Sequence, residues 1–265
     1  MSDYLIDFMK ELKIKSYSAR TINLYSSAFK KFLFYSENTK YEPKQRIINF
    51  LNEIDSEEVR RISYNAIQLF YEIIIKKECP YKLEMVKGRK RVPEILTKSE
   101  INKLLSSITN DKHRLIISMI YGSGLRVSEV VKIKVGEIDL EKLLLKIKNS
   151  KGKKDRITII SEKIKPKLEE MVKNNKKNDY LFKSLHNKKY SIRTVQKIFE
   201  SALLKSGINK NVTCHSLRHS FATHLIESGV DVRNIKKLLG HTSIKTTMIY
   251  LHLVDINQSN IKSPL

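Results

Sequence analysis

Apolar residues recur at helical spacing along almost all of this 265-residue chain, and two basic stretches break the period. Leu5, Phe8, Met9 and Leu12 form a first stripe, and Ile22, Tyr25, Phe29 and Phe32 form a second. Residues three and four apart share a helix face, so each stripe predicts a helix with one buried side. "QRIINFLNEI" and "SEEVRRISYNAIQLFYEIIIKKE" continue the pattern, the latter opening with Ser56 and acids in its first turn, a helix-start signal. One of them is "KLLLKIKNSKGKKDRITII", where two short apolar runs flank a basic, glycine-containing turn. That stretch predicts a β-hairpin. Helical patterns resume at about 163–174, 191–205, 215–228 and 231–239, stopped by Gly207, Gly229 and Gly240, before a short last helix. The expected fold class is mainly α with a small β-hairpin or sheet.

"VKGRKRVPEIL" interrupts the helices with Gly88, Pro93 and four basic residues within positions 87–91. It predicts a basic linker at 87–95 between a helical N-terminal domain, 1–86, and a second domain, 96–265. The second domain opens on "TKSE", a capping box with Thr97 as N-cap and Glu100 three residues later. Charge divides at the same place. Residues 1–86 carry 14 basic and 12 acidic side chains, whereas residues 87–265 carry 37 and 16. So positive a domain attracts a polyanion, and nucleic acid is the commonest one available. The competing reading is a lysine-rich surface kept for solubility or heat tolerance.

Two cysteines, Cys79 and Cys214, are too few for a disulfide scaffold and fit a reducing compartment. "MSDYLIDFMKEL" has acids and no basic segment, unlike a secretory signal. The longest apolar runs fall short of the ~20 residues that span a bilayer. A cytoplasmic protein without a membrane partner is expected.

"HSLRHSFATHL" places His215 and Arg218 at i and i+3, within reach of one anion. Cys214, His215 and His219 also offer zinc-like spacing. Arg218 would crowd a dication there, and no matching Cys/His pair occurs elsewhere, so no metal is expected. "GSGLRVSE" lacks the third glycine of a dinucleotide loop, and "KGKKD" lacks the spacing of a phosphate-binding loop. No cofactor is expected.

Four motifs in order, "GSGLRVSEV", "SKGKKDR", "HSLRHSFATHL" and "LLGHTSIKTTMIYLH", carry a family resemblance. Over residues 97–253 the chain resembles the tyrosine recombinases, and within them the Xer-type recombinases and related integrases. Residues 1–86 resemble that family's helical core-binding domain. Cys214 stands where relatives often have proline, a difference at the start of a helix and not in the chemistry.

The resemblance implies a two-domain clamp on double-stranded DNA that cuts and rejoins strands through a 3′-phosphotyrosyl intermediate. Tyr250 would be the nucleophile. Arg126 and Arg218 would hold the non-bridging phosphate oxygens, which suit guanidinium forks. His215 and His241 would donate hydrogen bonds there, with His215 a candidate proton acceptor. Lys151, the lysine before the hairpin glycine, would protonate the departing 5′ oxygen, its pKa lowered by Lys153, Lys154 and Arg156. A phenol, with a reference pKa of about 10, is also a competent leaving group, so the link is reversible without metal or ATP. Paired DNA sites imply four protomers on DNA, and an activating partner protein is compatible with the resemblance.

Geometry sets a condition on this reading. Along one continuous helix, nine residues at ~100° each put His241 and Tyr250 on opposite faces. Tyr250 joins the site only if the chain bends between them. Glu129 is expected to orient Arg126, His219 and His224 to pack, and His252 to support the Tyr250 segment. Two rival functions remain at this level: a relaxing topoisomerase acting on one duplex, and a non-catalytic DNA-binding regulator. The complete set of six residues disfavours the regulator.

Overall fold

In the computed structural model, the residues described are 2–83, 94–148, 155–173, 175–183 and 189–253. The chain divides into two compact units, Met1–Arg89 and Lys90–Leu265. Most of the segment expected as a linker, 87–93, lies outside the described residues.

The first unit is helical throughout its described elements. Helices α1 (Ser2–Ile14), α2 (Ala19–Glu37), α3 (Pro43–Asn52) and α4 (Glu57–Phe70) follow one another, and α4 runs on into a π-helical turn, Tyr71–Ile75. Ser18 and Ser56 cap α2 and α4 by accepting from the amides of Thr21 and Val59. The stripes seen in the sequence become the core: Phe8, Leu12, Ile22, Phe29 and Phe32 are buried with Phe50, Ile67 and Phe70. Phe29 lies against Phe70 with ring centroids 4.2 Å apart. Burying one such side chain contributes about 1.5–3 kcal/mol, so this cluster holds the unit together.

The second unit begins with α5 (Lys98–Ser106), whose Thr97–Glu100 capping box is formed in both directions. Next come α6 (Asp111–Gly122) and the single turn α7 (Val127–Val130). A three-stranded antiparallel sheet follows: β1 (Ile138–Asp139), β2 (Leu144–Ile147) and β3 (Arg156–Ile159), in that order. β2 and β3 are the expected hairpin, paired from Leu144–Ile159 to Ile147–Arg156. β1 was not anticipated, because a two-residue strand has no period to read. The turn expected between β2 and β3, 149–154, lies outside the described residues.

Helices α8 (Lys165–Lys173), α9 (Ile192–Ser206), α10 (Cys214–Glu227) and α11 (Val232–Leu239) match the four segments expected. Helix α10 is buried on nearly every side, from Cys214 and Leu217 to Phe221, Thr223 and His224. A helix apolar or satisfied all round belongs inside a unit rather than on its surface. Ser220 on α10 accepts the backbone amide of Leu96 at 2.9 Å, tying the start of this unit to its central helix.

The bend required by His241 and Tyr250 is present. Helix α11 stops at Gly240, which has φ +64°, and the His241 amide closes back on the Lys236 carbonyl. This left-handed closure ends a helix without leaving its last carbonyls unpaired. The chain restarts as α12 (Ile244–Met248) and a 3-10 turn, Ile249–Leu253. His241 and Tyr250 therefore sit on different elements. Among the described residues, no helix is long and apolar enough to cross a membrane.

Candidate active site

Helix α10 presents His215, Arg218 and His219 in its first turns, directly after the Thr213 cap. The Arg218 side chain is 1% exposed. Its Nη1 donates to the Gly124 carbonyl and its Nη2 to the Leu239 carbonyl, both at 2.6 Å. Nη2 also lies 3.2 Å from His241 Nε2. A guanidinium only donates, so His241 Nε2 accepts. The proton of the neutral ring is then on Nδ1, 2.9 Å from the Thr247 hydroxyl. Burial first, then Arg218 and Arg126, pushes the His241 pKa down to about 4, which keeps the ring neutral at pH 7. To donate to a phosphate oxygen through Nε2, His241 needs a proton there, either by protonation, which an adjacent anion favours, or as the other neutral tautomer with Nδ1 accepting from the Thr247 hydroxyl.

Glu129 organises the arginines. Its carboxylate accepts from the Arg126 amide and Nη1, each at 2.8 Å. It also accepts from Arg156 Nη1 at 2.6 Å and Nη2 at 2.8 Å. Burial alone raises a carboxyl's pKa; the hydrogen bonds and charges of Arg156 and Arg126 outweigh it and hold Glu129 at about 2. Arg156 Nε reaches the Leu238 carbonyl at the end of α11, 2.8 Å away. One carboxylate thus faces three arginines, since Arg218 is 3.8 Å from it. The surplus positive charge suits an anion.

From the sequence, Arg156 is only a charge crowding Lys151. The structure turns it inward: along β3, Arg156 and Thr158 are buried while Ile157 and Ile159 are exposed. This reverses the usual apolar-inward alternation, and it holds because both polar groups find partners. Thr158 donates to the Ser123 carbonyl at 2.8 Å, and Arg156 has Glu129.

Tyr250 is 3% exposed, its ring packed with Phe221, Ala222, Ile235 and Leu239. The His241 ring lies nearly parallel to it, centroids 6.3 Å apart. Its hydroxyl is 3.0 Å from His219 Nδ1. Burial raises the phenol's pKa, and the charges of Arg218 and Arg126 oppose that rise without cancelling it. His215 is exposed, its ring edge-on to His219 at 4.6 Å. Partial desolvation, then Arg218 and Arg126, lowers its pKa.

Of the six residues expected here, Arg126, His215, Arg218, His241 and Tyr250 share one neighbourhood. Lys151 lies outside the described residues, as does the His252 side chain. His219, expected to pack, instead meets the phenol; its position one residue after Arg218 and four after His215 was the available signal. His224 does pack, with Nδ1 2.9 Å from the Tyr121 hydroxyl. Cys214 faces the core, and burial pushes its thiol up to about 12, far from the thiolate a zinc site uses. Among the described residues, no three His, Cys, Asp or Glu side chains are placed to hold a metal ion.

Comparison with known proteins identifies the family. The phage integrase family model matches residues 94–256. A tyrosine recombinase XerA of Pyrococcus horikoshii is 36% identical over 258 residues, covering 94% of this chain and 88% of the relative. The chain belongs to the phage integrase family. As a tyrosine recombinase of Xer type, it is also similar to a tyrosine recombinase of Pseudothermotoga lettingae, 34% identical over 96% of this chain and 92% of that one. Among solved structures, a XerH site-specific recombinase bound to palindromic difH substrate, in a post-cleavage complex, aligns with TM-score 0.75 at 25% identity. That alignment covers 89% of this chain and 77% of the other. A XerA recombinase crystal structure aligns over 97% of this chain and 95% of its own, with TM-score 0.56 and 28% identity.

Gly124, whose carbonyl accepts from Arg218, is tightly enclosed in this recombinase's site. Its φ is +60°, and a Cβ there would lie 2.5 Å from the Phe221 ring. Gly124→Ala is expected to destabilise the second unit by about 2–5 kcal/mol, combining backbone strain with overpacking. A thermal melt checks this; an unchanged Tm means the turn relaxes freely.

Proposed function

We propose that this tyrosine recombinase cleaves and rejoins DNA at specific sites with Tyr250 as nucleophile and Arg126, Lys151, His215, Arg218 and His241 serving the phosphate. One observation carries the reading: a buried phenol, two histidines and an arginine cluster converge from separate segments, with more positive charge than Glu129 offsets. Transesterification at a phosphodiester needs those parts, because charge on the phosphoryl oxygens must be held by donors already in position. Arg218, fixed by two backbone carbonyls, is such a donor. Arg126, fixed by Glu129 yet with a side chain 21% exposed, is a second.

Residues 1–86 act as the core-binding domain, and with the catalytic unit they clamp double-stranded DNA. Exchange proceeds with four protomers on two paired sites, in the cytoplasm. Dimer resolution of chromosomes or plasmids and element integration share this chemistry. The test against a relaxing topoisomerase uses two labelled duplexes carrying a site selected from random DNA. Recombinant strands joining the two labels support the reading; relaxation of a plasmid without any joining of two duplexes overturns it.

Lys151 as general acid has its own test. A 5′-bridging sulfur leaves as a thiolate, which needs little protonation because thiol pKa values lie near ~8.5. Lys151→Ala is expected to be slow on ordinary DNA and nearly native on the sulfur-bridged strand. Lys153→Ala and Lys154→Ala are expected mainly to weaken binding and its salt dependence. Sulfur rescue at Lys153 but not Lys151 reassigns the acid.

A further inference from the structure

We propose that His219 is the group that takes the Tyr250 proton as the phenol attacks phosphorus. This rests on the reading of Tyr250 as nucleophile. On α10, His219 meets the phenol and His215 meets His219, and the geometry separates their work. His219 Nδ1 is at hydrogen-bond distance from the Tyr250 hydroxyl, 3.0 Å. His215 meets the ring of His219 edge-on, 4.6 Å between centroids, and its own side is exposed.

The direction of the bond follows from satisfaction. Among the described residues, His219 Nδ1 is the partner recorded for the buried Tyr250 hydroxyl. A buried phenolic proton needs an acceptor, so the phenol donates, Nδ1 accepts, and the ring proton is on Nε2. Burial first, then the charges of His215 and Arg218, pushes the His219 pKa down to about 4. The Nδ1 lone pair is therefore available at neutral pH. A phosphate entering beside Arg126 and Arg218 brings the negative charge that favours the imidazolium as the proton arrives.

The step balances. The bond from Tyr250 Oη to phosphorus forms while the bond from phosphorus to the 5′ oxygen breaks. The Oη proton passes to His219 Nδ1, and the 5′ oxygen leaves with a proton from the general acid assigned above to Lys151. On rejoining, the His219 imidazolium returns its proton to the departing phenolate. His215, relieved of the phenol, is left to face the phosphate.

The test separates proton transfer from mere support. His219→Asn keeps a polar acceptor near the position of Nδ1 but takes no proton. In single-turnover reactions at saturating nicked DNA, its covalent adduct is expected to form about 10² times more slowly, or worse, than with the native protein. The second arm uses DNA ending in a 3′-(p-nitrophenyl) phosphate, joined to a free 5′ hydroxyl in the Tyr250→Phe background. The departing p-nitrophenolate needs no proton, so adding His219→Asn is expected to leave joining within about threefold. Equal losses in both arms overturn the proposal in favour of a structural role. So does native adduct formation by His219→Asn, or the same selective pattern at His215→Asn. Adduct formation by Tyr250→Phe alone identifies a different failure, that of the nucleophile itself.

Discussion

Tyr250→Phe is expected to leave no detectable covalent protein–DNA adduct while folding and binding DNA almost as the native chain does. The substitution removes one oxygen and keeps the ring that packs with Phe221, Ile235 and Leu239. The hydroxyl's hydrogen bond to His219 is worth about 1 kcal/mol net, so Tm should move little. Chemistry, by contrast, loses its nucleophile outright, and no remaining interaction substitutes for the missing bond to phosphorus. A substrate nicked beside the selected site traps the adduct, because the short cleaved strand diffuses away. Adduct at the native level from Tyr250→Phe ends the assignment.

The second large effect belongs to Arg218, and it should appear in rate more than in affinity. Many lysines share general phosphate neutralisation, whereas this guanidinium has a fixed address. Removing one preorganised donor from a transition state costs on the order of 10²–10³ in rate. Arg218→Ala also strands the buried Gly124 and Leu239 carbonyls, which now accept from it at 2.6 Å. Its melt must therefore be recorded beside its kinetics. Arg218→Lys supplies the cleaner comparison, because it keeps the charge and loses the planar fork. About a hundredfold slower single-turnover cleavage is expected from Arg218→Lys at saturating DNA. Tenfold weaker binding with native cleavage when saturated would falsify the role.

Much of the fold was legible because its signals are local. Helical stripes such as Phe8–Leu12 and Phe29–Phe32 marked the core faces directly. Thr97 with Glu100, Ser56, Gly207 and Gly240 marked helix ends by hydrogen bonds to residues within one turn. β1 escaped because two residues carry no pattern. The inward face of β3 was not legible either. Alternation alone favours burying Ile157 and Ile159, yet Arg156 and Thr158 are the buried pair.

The family, and five residues that the structure brings together at the candidate site, could be named from motifs in order, since each motif keeps its residue types at fixed short spacing. What those residues touch was another matter. Arg156 pairs with Glu129 across 27 positions, and Arg218 reaches Gly124 across 94. His219 meets Tyr250 across 31. By itself, then, the sequence determined which segments are helical and where they stop, and it named the side chains that are candidates for phosphate chemistry. Only the tertiary structure decided that Glu129 gathers the arginines, that the chain bends after Gly240, and that the phenol rests on His219 rather than His215. The physical reason is burial: a polar group taken from water must find a partner, and packing of distant segments determines which one is within reach.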